Sequence, residues 1–360
     1  MSDPSLPTGR LLKRHSQFYY VEFEGIVYEC MGRANLKKAG LEPTVGDFVT
    51  LDSIDIQAKT ARIANILPRK NALGRPSVTN ADGVFVVCAF REPSFDLTQT
   101  DRYLTHVALN GIEPVLCITK IDLADNLLDV KAIQTLYEKL GIPVELLSVK
   151  RDGVPDSLKQ RMKNRMHVLA GPSGSGKSSL LNTLNNQLHL RIGDVSDKNA
   201  RGRHTTRHAS LLQIDESDPH TLVADTPGFS NLRFDQYLPA DIEAIFPDFS
   251  DYRNLCTFSD CLHLTETDCS VKNNLDTIAA SRYASYKVLI DEAREYETLL
   301  KKTSSKVERG YKRLDREGSK SIEIVRLQEK NRDPGRKTVR QKVDLWLHEE
   351  ENQDDSSNLY

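Results

Sequence analysis

Nine residues, Gly171-Pro172-Ser173-Gly174-Ser175-Gly176-Lys177-Ser178-Ser179, fit the spacing G-x-x-x-x-G-K-[ST]. Glycines at these positions let the backbone curl until its N–H groups face an anion, and a helix starting there adds a positive partial charge. Lys177 would reach β- and γ-phosphates, and the Ser178 hydroxyl would ligate Mg²⁺. An apolar strand at His167–Ala170 precedes the run and a helix opens at Ser178, a context that an incidental glycine turn lacks. A second stretch, Asp225-Thr226-Pro227-Gly228, follows the apolar strand Leu222–Ala224. Alone it reads as a common turn. About fifty residues after a phosphate loop, Asp225 would hold Mg²⁺ through water, and the Gly228 N–H would bind a γ-phosphate and provide a hinge.

Thr119-Lys120-Ile121-Asp122 matches the pattern [NT]-K-x-D at the end of an apolar strand, Pro114–Ile118. Asp122 would accept two hydrogen bonds, from guanine N1–H and N2–H₂. Adenine offers neither donor and would leave the carboxylate desolvated and unpaired. Lys120 would lay its stem over the base. Ser148-Val149-Lys150 is similar to the second base-contacting loop of such sites. The chain order is reversed from the ordinary one, because both base stretches precede the phosphate loop. One shared site therefore requires a circularly permuted domain, in which the segment at Asp225–Phe229 leads straight into the next domain. Ras-like switches carry a water-positioning glutamine after the glycine of the magnesium motif. Phe229 stands there and cannot hydrogen-bond water, so hydrolysis is expected to be slow unless another group or a partner assists. Asp122 and Lys120 argue against an ATP-dependent enzyme. A nucleotide-binding RNA or protein scaffold with little turnover is the alternative that Phe229 keeps open.

Cys256, Cys261, His263 and Cys269 form C-x₄-C-x-H-x₅-C. Three thiols and an imidazole make a closed structural zinc set with no position left for catalysis. The other reading is reduced core cysteines beside a surface histidine. Cys88 and Cys117 sit in apolar runs as small core residues, and Cys30 lies in a strand.

These residues need a scaffold. Short alternating segments between Gly9 and Asn71 read as strands of a small β-barrel: Phe18–Phe23 and Ile26–Tyr28 around a Glu24-Gly25 turn, then Val45–Leu51 and Ala61–Leu67. From Val84 the pattern becomes continuous apolar strands (Val84–Ala89, Pro114–Thr119, Pro143–Leu147) alternating with helices at Asp101–Asn110 and Val130–Leu140, as in a parallel α/β sheet. After Phe229 the reading is helical, with a long helix over Ser281–Lys302. The 360 residues suit two or three domains, and 49 basic against 51 acidic residues leave a net charge of −2. That average hides residues 301–345, with fifteen Lys/Arg against seven Asp/Glu, followed by an acidic end. No run is apolar enough to cross a membrane and no signal core opens the chain, so a cytoplasmic location is expected.

Taken together, the permuted order, GPSGSGKSS, Gly202-Arg203-His204-Thr205-Thr206, DTPGF and the Cys₃His spacing resemble the RsgA (YjeQ) family of small-ribosomal-subunit-dependent GTPases. Pro68-Arg69-Lys70-Asn71 and Asp101-Arg102-Tyr103-Leu104 add to the likeness, which covers residues 10–300. It implies a multi-domain chain. Residues 1–9 would be disordered, 10–72 an N-terminal OB-fold β-barrel that contacts RNA, and 73–232 a circularly permuted α/β P-loop GTPase domain. Residues 233–300 would be a C-terminal mostly helical zinc-binding domain; beyond the likeness, composition makes 301–360 a basic then acidic extension. GTP/GDP, Mg²⁺ and one structural Zn²⁺ are the implied cofactors, with the 30S subunit and its 16S rRNA as partners, no DNA or membrane partner, and a monomeric state. Hydrolysis would be stimulated by the ribosome and trigger release late in 30S maturation. Thr206, or else Thr205, would complete the Mg²⁺ shell. His204 would either position the water in place of the absent glutamine or contact rRNA. Arg191, Arg201, Arg203, Arg207 and the basic stretch 301–345 would meet phosphates.

Overall fold

Period-two burial along the first strands winds them into a barrel. The computed structural model describes residues 6–38, 40–74, 77–185, 209–215, 218–225, 234 and 236–303. Its first elements are β1 (Thr8–His15), β2 (Phe18–Phe23), β3 (Ile26–Gly32), α1 (Ala34–Lys38), β4 (Phe48–Asp55) and β5 (Thr60–Ile66). The strand order β1-β2-β3-β5-β4 closes on itself through Thr8↔Thr50, Gly9↔Val49 and Arg10↔Phe48, and β3 runs parallel to β5. This is the five-stranded OB-type barrel expected from the sequence. Glu24 and Gly25 both take left-handed φ values, 51° and 75°, as a two-residue type I′ hairpin requires.

Several expected boundaries shift: the helices expected over Asp101–Asn110 and Val130–Leu140 span Leu97–Leu109 and Leu127–Lys139. β1 starts at Thr8, so residues 8 and 9 belong to the barrel: their pairs with β4 close it. The strand expected from Val45 begins at Phe48. Gly46 turns with φ +94°, and a Cβ there would lie 2.1 Å from the Thr79 carbonyl oxygen. The buried Asp47 carboxylate fixes this turn. It accepts from the Thr44 N–H at 2.8 Å, from Arg69 at 2.7 and 2.8 Å and from the Thr79 hydroxyl at 2.7 Å. Asp47 thereby ties the barrel, through Thr79, to the small ribbon β6 (Ala72–Leu73) and β7 (Val78–Thr79).

The next layer contains β8 (Gly83–Ala89), α2 (Leu97–Leu109), β9 (Pro114–Thr119), α3 (Leu127–Lys139), β10 (Val144–Leu146), α4 (Val149–Asp152) and α5 (Asp156–Met162). It continues with β11 (Met166–Ala170), α6 (Lys177–Leu184), β12 (Ser210–Asp215) and β13 (Asp218–Asp225). The sheet order is β10-β9-β8-β11-β13-β12, parallel except for the β12–β13 pair. Every residue of β8 and of β11 is buried, which explains their unbroken apolar runs. β12 also pairs with β1 at Lys13↔Ser210, so the sheet continues into the barrel. Joining the domain's ends and restarting at β11 would give the chain order β11-β12-β13-β8-β9-β10, with the phosphate loop first and the base motifs last.

The last elements are α7 (Pro239–Ile245), short 3₁₀ turns at Pro247–Phe249 and Arg253–Leu255, α8 (Ser270–Asn273) and α9 (Ala280–Thr303). Phe246, Phe249, Tyr286, Leu289 and Ile290 form their core. The chain divides into two units at Arg294, and of the second the structure describes Glu295–Thr303, the end of α9.

Candidate nucleotide site and zinc centre

Parallel strands deliver their following loops to one edge of the sheet, and the chemistry-bearing residues gather there. Thr119, the last residue of β9, donates its hydroxyl to the Ser175 carbonyl at 2.6 Å. Both side chains are buried, so the base motif and the phosphate loop are fastened to each other directly. Ile121 N–H bonds Leu147 O at 3.3 Å, and the Ser148 hydroxyl donates to Asp122 Oδ1 at 2.7 Å. The second base stretch therefore orients the first. Asp122 itself remains exposed, as do Lys150 and Ser173, while Lys120, Ile121, Val149, Pro172, Ser178 and Ser179 are half-buried. Lys120 takes a left-handed backbone (φ 55°, ψ 35°), and its ammonium donates to the Glu92 carbonyl. Phe90 N–H bonds Thr119 O at 2.8 Å. The loop after β8 thus braces the base motif, a contribution with no motif to announce it.

The phosphate loop curls as its glycines permit. Gly171 has φ +136°, and an added Cβ would stand 2.0 Å from the Val87 carbonyl oxygen. Gly174 and Gly176 are also left-handed, at 76° and 96°. Lys177, expected in the loop, is the first residue of α6. Its ammonium is held over the loop by the carbonyls of Gly171 at 2.8 Å and Pro172 at 2.7 Å, with Ser175 Oγ at 3.4 Å. Ser178 and Ser179 occupy the first turn of α6. Asp225 ends β13, whose Ala224 is in register with Val168 of the strand that feeds the loop. Gly228, Phe229, His204, Thr205, Thr206 and the arginines 191, 201, 203 and 207 lie outside the described residues.

The cysteine stretch closes into a metal-sized cage. The ligand atoms of Cys256, Cys261, His263 and Cys269 all lie within 4.8 Å of one another. Cys256 Sγ is 3.9 Å from Cys269 Sγ, and His263 Nδ1 is 3.6 and 3.4 Å from these two sulfurs. Zn–S bonds of about 2.3 Å and Zn–N bonds of about 2.0–2.1 Å imply tetrahedron edges of roughly 3.5–3.8 Å. The residues fit one structural zinc, with no protein ligand missing. His263 Nε2 donates to Glu243 Oε1 at 3.1 Å, which leaves Nδ1 for the metal. Glu243 sits on α7, outside the ligand spacing, and only the fold brings it in.

Comparison with known proteins matches this geometry. The RsgA GTPase family pattern fits residues 66–235, and the RsgA N-terminal domain fits residues 8–60. The small ribosomal subunit biogenesis GTPase RsgA of Alkaliphilus metalliredigens is 39% identical over 289 residues, covering 80% of this chain and 98% of that protein.

The chain belongs to the RsgA family of GTPases.

The RsgA protein of Halalkalibacterium halodurans is 37% identical over 294 residues, covering 80% of this chain and 98% of that one. Among solved structures, YjeQ from Thermotoga maritima superposes with a TM-score of 0.69 at 33% identity, covering 80% of this chain and 98% of that one. YloQ, described as a circularly permuted GTPase, gives 0.66 at 32% identity, covering 81% and 96%. RsgA membership implies GTP/GDP and Mg²⁺ as cofactors, and bound Mg²⁺ neutralises charge developing on the phosphate oxygens. Ser178 stands in the first turn of α6 and Asp225 is the last residue of β13. No described helix is long and apolar enough to cross a membrane.

Proposed function

We propose that this chain hydrolyses GTP while bound to the small ribosomal subunit and assists the maturation of that subunit. The observation that carries the reading is the buried Thr119–Ser175 hydrogen bond, which supports a single nucleotide gripped at both ends. Gly171–Ser179 wraps the phosphates, with Lys177 on the β- and γ-phosphates and Ser178, Thr206 and Asp225 around Mg²⁺. Thr119–Asp122 and Ser148–Lys150 read the guanine. Gly228 senses the γ-phosphate, and His204 positions the attacking water that Phe229 cannot hold. Residues 10–72 meet 16S rRNA, residues 73–232 hold the nucleotide, residues 233–300 hold the zinc and residues 301–360 are an extension. The chain acts as a cytoplasmic monomer, and subunit binding accelerates turnover and triggers release.

Hydrolysis of GTP measured with and without purified small subunits tests this reading. A large stimulation is expected, and equal rates would reject the ribosomal role. Phe229 at the glutamine position favours a second reading, a nucleotide-bound scaffold without turnover. A phosphate-release assay at saturating subunit concentration separates the two, because the scaffold releases none. His204→Ala is expected to lower stimulated turnover and spare nucleotide affinity; unchanged turnover removes His204 from the chemistry.

A further inference from the structure

The turn between α5 and β11 lies at the amino end of the phosphate-loop strand, at the opposite edge of the sheet from the nucleotide site. An open concavity of about 600 Å³ forms there, lined by Ser157, Gln160, Arg161, Lys163, Asn164 and Arg165. The segment Lys159–Arg165 carries four cations at alternate positions and no carboxylate. Lys159 pairs with Asp156 at 3.3 Å. Arg161 is neutralised by Glu145 at 2.9 Å, whose other oxygen takes the Ser157 hydroxyl at 2.8 Å. Lys163 and Arg165 are exposed, and neither has an ion-pair partner among the described residues.

Their presentation is fixed by backbone bonds. Asn164 is left-handed (φ 54°). Its N–H donates to Thr221 Oγ1 at 2.8 Å and Asp218 Oδ2 at 3.1 Å. Arg165 N–H bonds Met162 O at 3.1 Å. The nearby Asp218 carboxylate is already taken by Asn164, by the Thr221 hydroxyl at 2.5 Å and by the His220 N–H at 3.1 Å.

We propose that this concavity docks an RNA phosphate backbone, with Lys163 and Arg165 as its charged contacts. The site is open and lined by three cations, two amides and a hydroxyl, with no apolar or aromatic residue in its lining. That combination suits phosphate and sugar along a strand and offers nothing to stack on a base, so binding is independent of sequence. A small buried anion would need an enclosed, desolvated partner, which the concavity lacks. Since the nucleotide lies at the other edge of the sheet, RNA and GTP bind without competing. The proposal rests on the small-subunit reading above and adds a contact surface outside the barrel.

The test uses the full chain, purified small subunits and a salt titration. The variant carries Lys163→Glu and Arg165→Glu, and a second carries Arg165→Lys alone. The double variant is expected to raise the Kd for subunits about tenfold at 0.1 M salt and to flatten the log Kd against log salt slope by about 1–2. Arg165→Lys keeps the charge and is expected to keep the slope, while hydrolysis without subunits stays unchanged in both. An unchanged Kd and slope in the double variant would overturn the proposal while the functional reading stands. A Kd loss without a slope change, the mark of an acidic protein partner or a local packing defect, would overturn it as well. If the unaltered chain fails to bind subunits at all, the functional reading falls and the proposal falls with it.

Discussion

Asp122 illustrates how much one carboxylate decides. It is exposed, and the Ser148 hydroxyl donates to its Oδ1; in the proposed role it accepts from guanine N1–H and N2–H₂. Hydrogen bonds to a charged group are worth about 1.5–3 kcal/mol each. Asp122→Ala is therefore expected to raise the Kd for GTP and GDP by upward of about 100-fold while weak ATP binding is unaffected. Fluorescent-nucleotide titration with ATP competition checks this, and an equal loss for both bases would show that Asp122 does not read the base. His167 raises a different residue-scale question, since its neighbour is a stability term instead of a ligand. The ring stacks on Phe85 at 4.4 Å, its Nδ1 has no hydrogen-bond partner, and burial pushes its pKa down to about 4. In the unfolded chain the same ring takes up a proton near pH 6.5. Above that pH both states are neutral and nothing is lost. As pH falls from about 6.5 toward 4, the unfolded state binds the proton first, and up to about 3 kcal/mol of stability disappears. Denaturant midpoints at pH 7 and pH 4.5 should show that decline in the unaltered chain and a smaller one in His167→Leu.

At the scale of elements, ionic groups taken out of water add to the apolar contacts that hold the helices to one another. Arg282 on α9 is almost fully buried. Its guanidinium meets Asp101 on α2 and Asp248 at 2.6 Å, and Asp101 also accepts from Tyr137 on α3 at 2.7 Å. Burial pushes the Asp101 carboxyl upward, and Arg282 is foremost among the groups that oppose it. One residue on, Arg102 grips Glu292 of α9 with two bonds, at 2.6 and 2.5 Å. Arg282→Ala leaves two buried carboxylates without their cation and is expected to cost about 3–5 kcal/mol in chemical denaturation. A loss below about 1 kcal/mol would show that the network is solvated and dispensable. The Asp-Arg-Tyr-Leu stretch was conspicuous in the sequence, but its role was not readable there. Asp101 and Arg282 are 181 residues apart, and no local period links a charge to a partner at that separation. By contrast, β8, β9 and β11 are legible as apolar runs, because strands buried on both faces must be mostly apolar; His167 in β11 is an exception, stacked on Phe85. The Glu24-Gly25 hairpin was legible because its turn demands left-handed residues. β1 and β12 were not picked out as separate strands. Leu11 is buried among Arg10, Lys13 and Arg14, and β12 reads Ser-Leu-Leu-Gln-Ile-Asp, whose adjacent leucines break the period of two, so neither carries a strong period. The site followed the same division: contiguous motifs were readable, whereas the Glu92 brace and Glu243 depend on how separate elements dock.

Among the described residues the buried apolar side chains fall into three cores, and their membership predicts what zinc supports. The first joins the barrel to one face of the sheet, with Leu11, Val49, Val84 and Leu104 among its members. The second lies on the other face, with Phe85, Val87 and Leu180. The third belongs to the C-terminal helices, includes the ligands Cys261 and Cys269, and reaches the sheet domain through Leu109 of α2. The His263 ring packs edge-on against Phe249 at 5.1 Å, and Tyr286 donates to the Leu262 carbonyl at 2.9 Å. The metal cage is thus part of this core instead of an appendage to it. Structural zinc contributes folding free energy outright, so its removal should act on the third core and leave the other two, which contain none of its ligands. Treating the full chain with a strong chelator is expected to abolish hydrogen-exchange protection over residues 239–290 while β8, β9 and β11 keep theirs and hydrolysis without ribosomes persists. Glu243→Gln should weaken zinc binding about 10–100-fold by loosening the His263 ring, and the protection over 239–290 should then be lost at correspondingly lower chelator concentration. Protection lost evenly across all three cores would mean that the zinc centre supports the whole fold. Protection retained everywhere would mean that Cys256, Cys261, His263 and Cys269 pack without a metal, as reduced core side chains.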